Sequence, residues 1–428
     1  MVKNKLLVGT SEVDITPPVG TPLAGSLKPR ISIGIEDPLY VKSIVLESNG
    51  ERLVYVVFDL VKLSREFGDA FVSIASEKTG IPASHIIWTT SHTHTGPYTI
   101  PTSTKNDNVN MDWLTSLCGK AVESVVVADS SKKPARFSRQ RSFHYGLGHN
   151  RRVSFKDGKV INTWNLQQAP EEEQSLGSSG FTDPEIGILA FDDEEGNLMS
   201  VMFHFTLHTN TNFGPRFSGD YPAVVASRIN ERFGKQVVTL FLPGTFADIN
   251  SNDLKHRAVG DKLAEKIIPA LEKRNPKNIP LKLSAIKKEV VVPRRDFGSA
   301  QEKRISDSGW SEESQQYFFN ELEHIRKEGK KEDVTILQAW RIGDIGFTSL
   351  PGETFVESGL KIKKESPFGW TYPVELGADT LGYLVTKKAW LEGGYEPLVT
   401  RGNKASAEGV EMMVDKVIEM LNELSKEK

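Results

Sequence analysis

The feature that most restricts this chain is a strand ending in two histidines: Ile86-Ile87-Trp88-Thr89-Thr90-Ser91-His92-Thr93-His94-Thr95-Gly96-Pro97. Ile86 to Thr90 are β-branched or aromatic, the composition of a covered strand. Two imidazoles follow, two residues apart, and on extended backbone such side chains share a face about 7 Å apart. Gly96-Pro97 then breaks the strand. Paired imidazoles at a strand end beside a turn suit a metal site with an open side, and they also suit a plain polar strand end.

A second strand favours the first of these. Leu198 to Thr206 runs into Phe203-His204-Phe205-Thr206-Leu207-His208, roughly 110 residues later. His204 and His208 share a face if the strand continues. Histidines at two distant strand ends are the pattern of a metal centre assembled from separate segments.

The rest of the chain supplies a frame for such strand ends. Residues 6–16 read as a strand ended by Pro17-Pro18, and Arg52 to Asp59 as a central strand. Asp59, at its C-terminal end, is either a functional carboxylate or the cap of the helix expected over 64–79. Residues 99–109 form a polar loop, a lid or a connection. Residues 141–182 are irregular, with Glu171-Glu172-Glu173 a solvated turn. Ser218 or Asp220 caps a helix with Pro222 in its first turn. The strand Gln236–Leu242 ends in Pro243-Gly244-Thr245-Phe246-Ala247-Asp248, which offers either a pocket wall or ordinary turn chemistry. Val334–Arg341 and Ile345–Leu350 form a hairpin across Gly343-Asp344, ending in Pro351-Gly352-Glu353. Glu353 is a helix N-terminal charge or a carboxylate ligand. The amphipathic stretch within 404–428 is a packing helix. At 428 residues the chain is long enough for two lobes or one large α/β unit.

Composition narrows the partners. Of 428 residues, 53 are Lys or Arg and 56 are Asp or Glu, a net charge of -3 with no basic stripe, so nucleic acid is not expected. The single cysteine, Cys118, excludes an internal disulfide and falls in an apolar helical pattern. No apolar run has the length of a membrane span, so stable membrane insertion is not expected. The N-terminus turns polar too soon for a signal peptide, which points to the cytoplasm. Oligomeric state is left open.

Together, Val8-Gly9-Thr10-Ser11-Glu12-Val13-Asp14-Ile15-Thr16-Pro17-Pro18, Ser91-His92-Thr93-His94-Thr95-Gly96-Pro97, Asn150-Arg151, the His208 strand end, Gly219-Asp220, Pro351-Gly352-Glu353, Gly382-Tyr383 and Tyr395-Glu396 resemble the catalytic domain of the neutral/alkaline, non-lysosomal ceramidases. The resemblance runs from about Val8 to Glu396 in the same order. It implies one ceramidase-like metal-hydrolase domain over 1–428, an α/β fold of layered mixed sheets flanked by helices, in a short form without the C-terminal immunoglobulin-like domain. It also implies Zn²⁺ held by His92, His208, Glu353 and Tyr383, with His94 and Arg151 beside the metal on the substrate. His204 has no role in that pattern and is read as structural. Gly244, Thr245 and Tyr395 are candidate substrate contacts. The serine of the family's Ser-Asn-x-Gly-Asp-type loop is missing from Gly244-Thr245-Phe246-Ala247-Asp248.

Zinc bound by two imidazoles and a carboxylate leaves room for a water whose pKa falls to about 7. Arg151 and Tyr383 would then stabilise an oxyanion, and Glu353 or His94 would carry the proton to the leaving amine. Tyr383 serves as a ligand or as a hydrogen-bond donor. The implied reaction is cleavage of an amide in a small acylated molecule rather than membrane ceramide. Ester, lactone or sugar-linked acyl hydrolysis at the same site, and a non-catalytic metal scaffold, are the alternatives.

Overall fold

Alternation along Glu51–Phe58 sets the layering. Leu53, Tyr55 and Val57 enter one buried cluster, while Val54, Val56 and Phe58 enter another on the opposite face. The strand is therefore covered on both sides, which its unbroken apolar run requires. The computed structural model describes residues 5–26, 30–101, 109–168 and 174–427.

Eight strands form the larger sheet: β1 (Leu6–Asp14), β2 (Tyr40–Ser48), β3 (Glu51–Phe58), β4 (Ile86–Thr90), β5 (Lys133–Phe143), β6 (Glu185–Asp192), β7 (Leu198–Phe205) and β8 (Val238–Pro243). Their order is β8-β7-β6-β5-β1-β2-β3-β4. Only β3/β4 and β7/β8 pair in parallel. The sheet curls until its edges approach: the Tyr55 hydroxyl on β3 donates to the Phe241 carbonyl on β8 at 2.9 Å. That curl brings the ends of β4 and β7, which carry the two histidine clusters, to one place.

The second sheet contains β9 (Leu283–Pro293), β10 (Glu332–Ile342) and β11 (Ile345–Ser349). After the short strand β12 (Glu353–Thr354) it gains β13 (Trp370–Val374), and β14 (Tyr383–Leu384) pairs with β12. It packs on the concave face of the first sheet through Trp340, which stacks on Phe347 at 5.2 Å and meets Tyr55 at 6.3 Å. Helices Arg65–Thr79 and Met111–Ser130 cover the outer face of β2–β4. Asp220–Phe233 and His256–Glu272 cover β6–β8. Ala407–Lys426 lays Val410, Met413, Val417 and Leu421 on the second sheet. The result is helix, sheet, sheet and helix in layers, the α/β architecture expected.

Several local expectations change. Ser64, not Asp59, caps the first helix, accepting from the Phe67 N–H. Asp59 instead accepts from the Tyr40 N–H at 3.0 Å, pinning β2 to the end of β3. Neither Ser218 nor Asp220 caps its helix; Gly219 holds that position. Among the described residues, 144–182 carry four short strands, Gly148–Asn150, Arg152–Phe155, Val160–Asn162 and Ser175–Ser178, too brief and polar to show a period. Positions 102–108 of the proposed lid, and the Glu171–Glu173 run, lie outside the described residues. Cys118 is half-buried among apolar neighbours, and burial raises its thiol pKa. Among the described residues no helix is long and apolar enough to cross a membrane.

Candidate active site

The chain beyond β4 turns sharply, and His92 sits in the left-handed region at φ 65. A branched or bulky residue is rarely held there without compensation. Here the His92 N–H donates to the Leu60 carbonyl at 2.9 Å, and its ring Nδ1 lies 2.8 Å from the Val61 carbonyl. A proton on Nδ1 leaves the Nε2 lone pair facing inward. His94 is oriented the same way, with Nδ1 2.8 Å from the Gly25 carbonyl. Gly25 lies directly against that ring: a Cβ there would come within 2.6 Å of it.

His208 arrives from the other strand end. β7 stops at Phe205, so His204 and His208 part company. His204 turns into the core, its Nε2 2.9 Å from the Pro373 carbonyl and its ring against Tyr372. It takes no part in the site. His208 is anchored by its N–H to Ile249 O at 3.1 Å, and the Thr209 hydroxyl donates to Ser91 O at 2.7 Å, tying the two histidine loops together. Asp220 folds the segment after His208 by accepting from the N–H groups of Thr211 and Asn212.

The three Nε2 atoms converge. His92 and His208 lie 3.0 Å apart, and His94 is 3.2 Å from each. Donors on a tetrahedral ion with bonds of about 2.0–2.1 Å are separated by about 3.3 Å. Among the described residues this is the one group of three or more His, Cys, Asp or Glu donors close enough to share an ion. Glu353 Oε2 lies 3.4 Å from His92 Nε2 and is buried with no hydrogen-bond donor among the described residues. Three inward lone pairs and a bare carboxylate oxygen are unfavourable on their own. A divalent cation satisfies them, and nitrogen and oxygen donors in this geometry fit zinc. His94 thus joins the cluster directly, closer than the resemblance implied.

The protonation states agree with that donor set. Burial, with His92 nearby, pushes the His94 imidazole down to about 3. Burial and His92 likewise hold His208 well below its usual value. Burial alone would raise Glu353, but His92, Arg151 and His94 outweigh it and hold the carboxyl at about 2.

Glu353 owes its place to a tight pairing. It is neither in a helix first turn nor free: its N–H donates to Gly382 O at 2.8 Å, and it lies opposite Tyr383 in the β12/β14 register. Burial and the neighbouring Glu353 push the Tyr383 phenol well above its usual pKa. The Arg151 guanidinium sits 5.5 Å from the Tyr383 ring centre and 4.9 Å from that of Trp164. Its Nε donates to Glu396 Oε1 at 2.8 Å, and Nη1 lies 3.5 Å from His208 Nδ1.

A cavity of about 390 Å³ opens over this group, lined by His92, His94, Glu353, Tyr383 and Tyr395 together with Lys62, Tyr98 and Leu398. Gly244 and Thr245 do not line it. A Cβ on Gly244 would meet Thr206 Oγ1 at 2.4 Å, and Thr245 packs on Gly359. Their loop instead backs the metal centre: the Phe246 ring lies 5.3 Å from His208 and 6.0 Å from His92. Sequence reasoning missed Asp248, which accepts from Val356 N–H at 2.9 Å and Asn150 Nδ2 at 2.5 Å. It also missed the anchoring task of Glu396, and Lys62 altogether. An acidic residue in a named motif was the one signal for Glu396; Lys62 had none.

No protein-family model matches the chain. No curated protein matches it. Among solved structures, neutral ceramidase from Pseudomonas aeruginosa aligns with a TM-score of 0.73 at 16% identity, over 98% of this chain and 75% of its own. A ceramidase complexed with C2 aligns with a TM-score of 0.74 at 16% identity, over 99% of this chain and 76% of its own. The chain has the fold of a neutral ceramidase. Within that ceramidase-like fold, the strand ends that carry His92 and His208 and the β12/β14 pairing are the elements that build the site.

Proposed function

We propose that this protein is a zinc-dependent hydrolase that cleaves an amide bond in a small acylated molecule. The observation that carries this reading is the convergence of three inward-facing Nε2 atoms within 3.2 Å of one another beside the donor-free Glu353 oxygen, at the floor of an open cavity. His92, His208 and Glu353 would hold the ion. His94, the half-buried one of the three imidazoles, lies on the cavity wall and would face the substrate rather than complete the ion's ligand set. Bound zinc would supply a Lewis acid and a water acidic enough to ionise near neutral pH.

The chain's own groups do the rest. The Tyr383 phenol lines the cavity and would donate where a carbonyl oxygen gathers charge, and Arg151, buried against the Tyr383 ring and held by Glu396, would lend that side its positive charge. The neutral His94 imidazole offers Nε2 to a proton and can return it to the departing amine. Phe246 and the sheet behind it exclude water from the far side of the cluster. The ceramidase-like fold favours an amide as the scissile bond, whereas the site geometry by itself accommodates an ester equally.

The test is metal content and turnover on one preparation. Elemental analysis of protein purified without added metal, then zinc-loaded, is expected to give about one zinc per chain, absent in His208→Ala. A panel of N-acylated amines is expected to show zinc-dependent release of amine. Zinc at equal content in both proteins, or a loaded protein inert on every acyl compound tried, would refute the proposal.

A further inference from the structure

The cavity has a second charged feature that the hydrolytic machinery does not use. Lys62 follows Val61, whose carbonyl orients His92, so its backbone is fixed relative to the metal centre. The Thr99 hydroxyl donates to the Lys62 carbonyl at 2.5 Å and fixes it further. Its side chain enters the cavity, where the ammonium would lie 3.7 Å from a Cβ on Gly402. Among the described residues no carboxylate lies within 4 Å of it.

The carboxylates near enough to serve are already engaged. Glu321, across the cavity, gives Oε1 to Arg401 Nε at 3.1 Å and Oε2 to the Arg401 N–H at 2.8 Å. Glu353 is turned to the histidines. An ammonium on a partly desolvated wall with no carboxylate among the described residues in ion-pair contact is costly, and burial lowers its pKa against the pull of Glu353 and Glu321. Val61, Pro97, Ile100 and Leu398 give the same cavity an apolar share of its lining.

We propose that the substrate is an anion, an N-acyl compound bearing a carboxylate or similar group, and that Lys62 is the residue that selects it. The proposal rests on the hydrolase reading for which bond is cut, but the charge preference is measured by binding and stands separately. Lys62 is a specificity residue here, on the cavity wall and outside the group of metal-facing donors. The volume of about 390 Å³ suits a short acyl chain with a small charged partner.

The test uses two acid and amide pairs, so that the charge sits on either side of the scissile bond: N-hexanoylglycine with N-hexanoylglycinamide, and N-hexylsuccinamic acid with its terminal amide. Each is titrated calorimetrically into zinc-loaded wild type, Lys62→Met and Lys62→Arg, with zinc content and hydrolysis followed in the same samples. In wild type at least one acid is expected to bind about tenfold tighter than its amide. That ratio should shrink with added salt, approach one in Lys62→Met and return in Lys62→Arg. Selective, Lys62-dependent binding without hydrolysis would uphold the anion site while removing the hydrolase reading. Equal affinity for acid and amide in wild type would overturn the inference. So would a preference that survives Lys62→Met, which would place the carboxylate on the metal, or a Lys62→Met protein that loses zinc, which would make Lys62 a support for Glu353.

Discussion

Glu353 and Tyr383 stand opposite each other in a parallel pairing only two residues long, and that pairing delivers a metal-facing carboxylate and a phenol to one cavity. The approach works because Gly352 has no side chain: a Cβ there would fall 2.4 Å from the Gly382 carbonyl. Backbone on backbone cannot yield as a side-chain tip can. Gly352→Ala is therefore expected to cost about 2–3 kcal/mol of stability and to push Glu353 off the cluster. Denaturant unfolding and zinc titration of the variant check both halves. Full zinc affinity in a destabilised variant would show that the carboxylate is not held by this pairing.

The three histidines of the cluster make unequal demands on the fold. His208 is fully buried and does not line the cavity, His92 is buried with only its edge on the cavity wall, and His94 is the half-buried one that lines it. His208→Ala is expected to abolish zinc binding. His94→Ala is expected to keep most of it and to lose turnover by about 10²-fold or more, the range of a lost proton-transfer group. His204→Ala should leave zinc content unchanged, because that ring belongs to the core contact with Tyr372 and Pro373. Metal analysis beside single-turnover kinetics separates the three. Equal loss of zinc in His94→Ala and His208→Ala would rank His94 as a ligand.

Arg151 and Arg152 share one carboxylate. Glu396, fully buried, receives Arg151 Nε at 2.8 Å and Arg152 Nη1 at 2.7 Å, with Asn162 Nδ2 at 2.7 Å. Removing it would strand two buried guanidinium groups. Glu396→Ala is expected to destabilise the protein by about 3–5 kcal/mol, with Glu396→Gln milder because an acceptor remains. Urea unfolding measures this, and a change below about 1 kcal/mol would mean that water or rearrangement replaces the pair.

How much of this was legible in the residues depends on range. The strand character of Ile86–Thr90, the Ser64–Thr79 helix region and the Gly343-Asp344 hairpin follow from local period and turn chemistry, and they stand in the structure. His92, His94 and His208 could be proposed as one site because paired histidines at strand ends carry a local signature. What no local pattern contains is the curl that sets β8 against β3, so the side toward which the 244–248 loop would face was not readable. Gly244 and Thr245 went behind the site for that reason. Lys62 looked like any polar residue after a strand, since its meaning depends on Glu321 being occupied by Arg401 far along the chain.

Asp248 gives the structure a pH dependence of a definite sign. Its carboxyl is pushed up to about 6, first by burial, although the Val356 N–H and Asn150 Nδ2 both donate to it. In the unfolded chain the same group ionises near 3.8. The folded state therefore binds the extra proton between those values. Its contribution to stability is complete below about pH 4, falls as pH rises through 6, and is flat beyond, a span of about 3 kcal/mol. Asp248→Asn cannot ionise and lacks that decline. The variant's own defect from facing Asn150 with an amide does not vary with pH, so the difference between the two unfolding free energies isolates the carboxyl. From pH 4 to 6.5 that difference is expected to move in favour of Asp248→Asn by up to about 3 kcal/mol. A difference constant across that range would mean that Asp248 is already ionised at pH 4, held so by Arg151, and that the charge beside the metal centre is one unit more negative than the burial of this group allows.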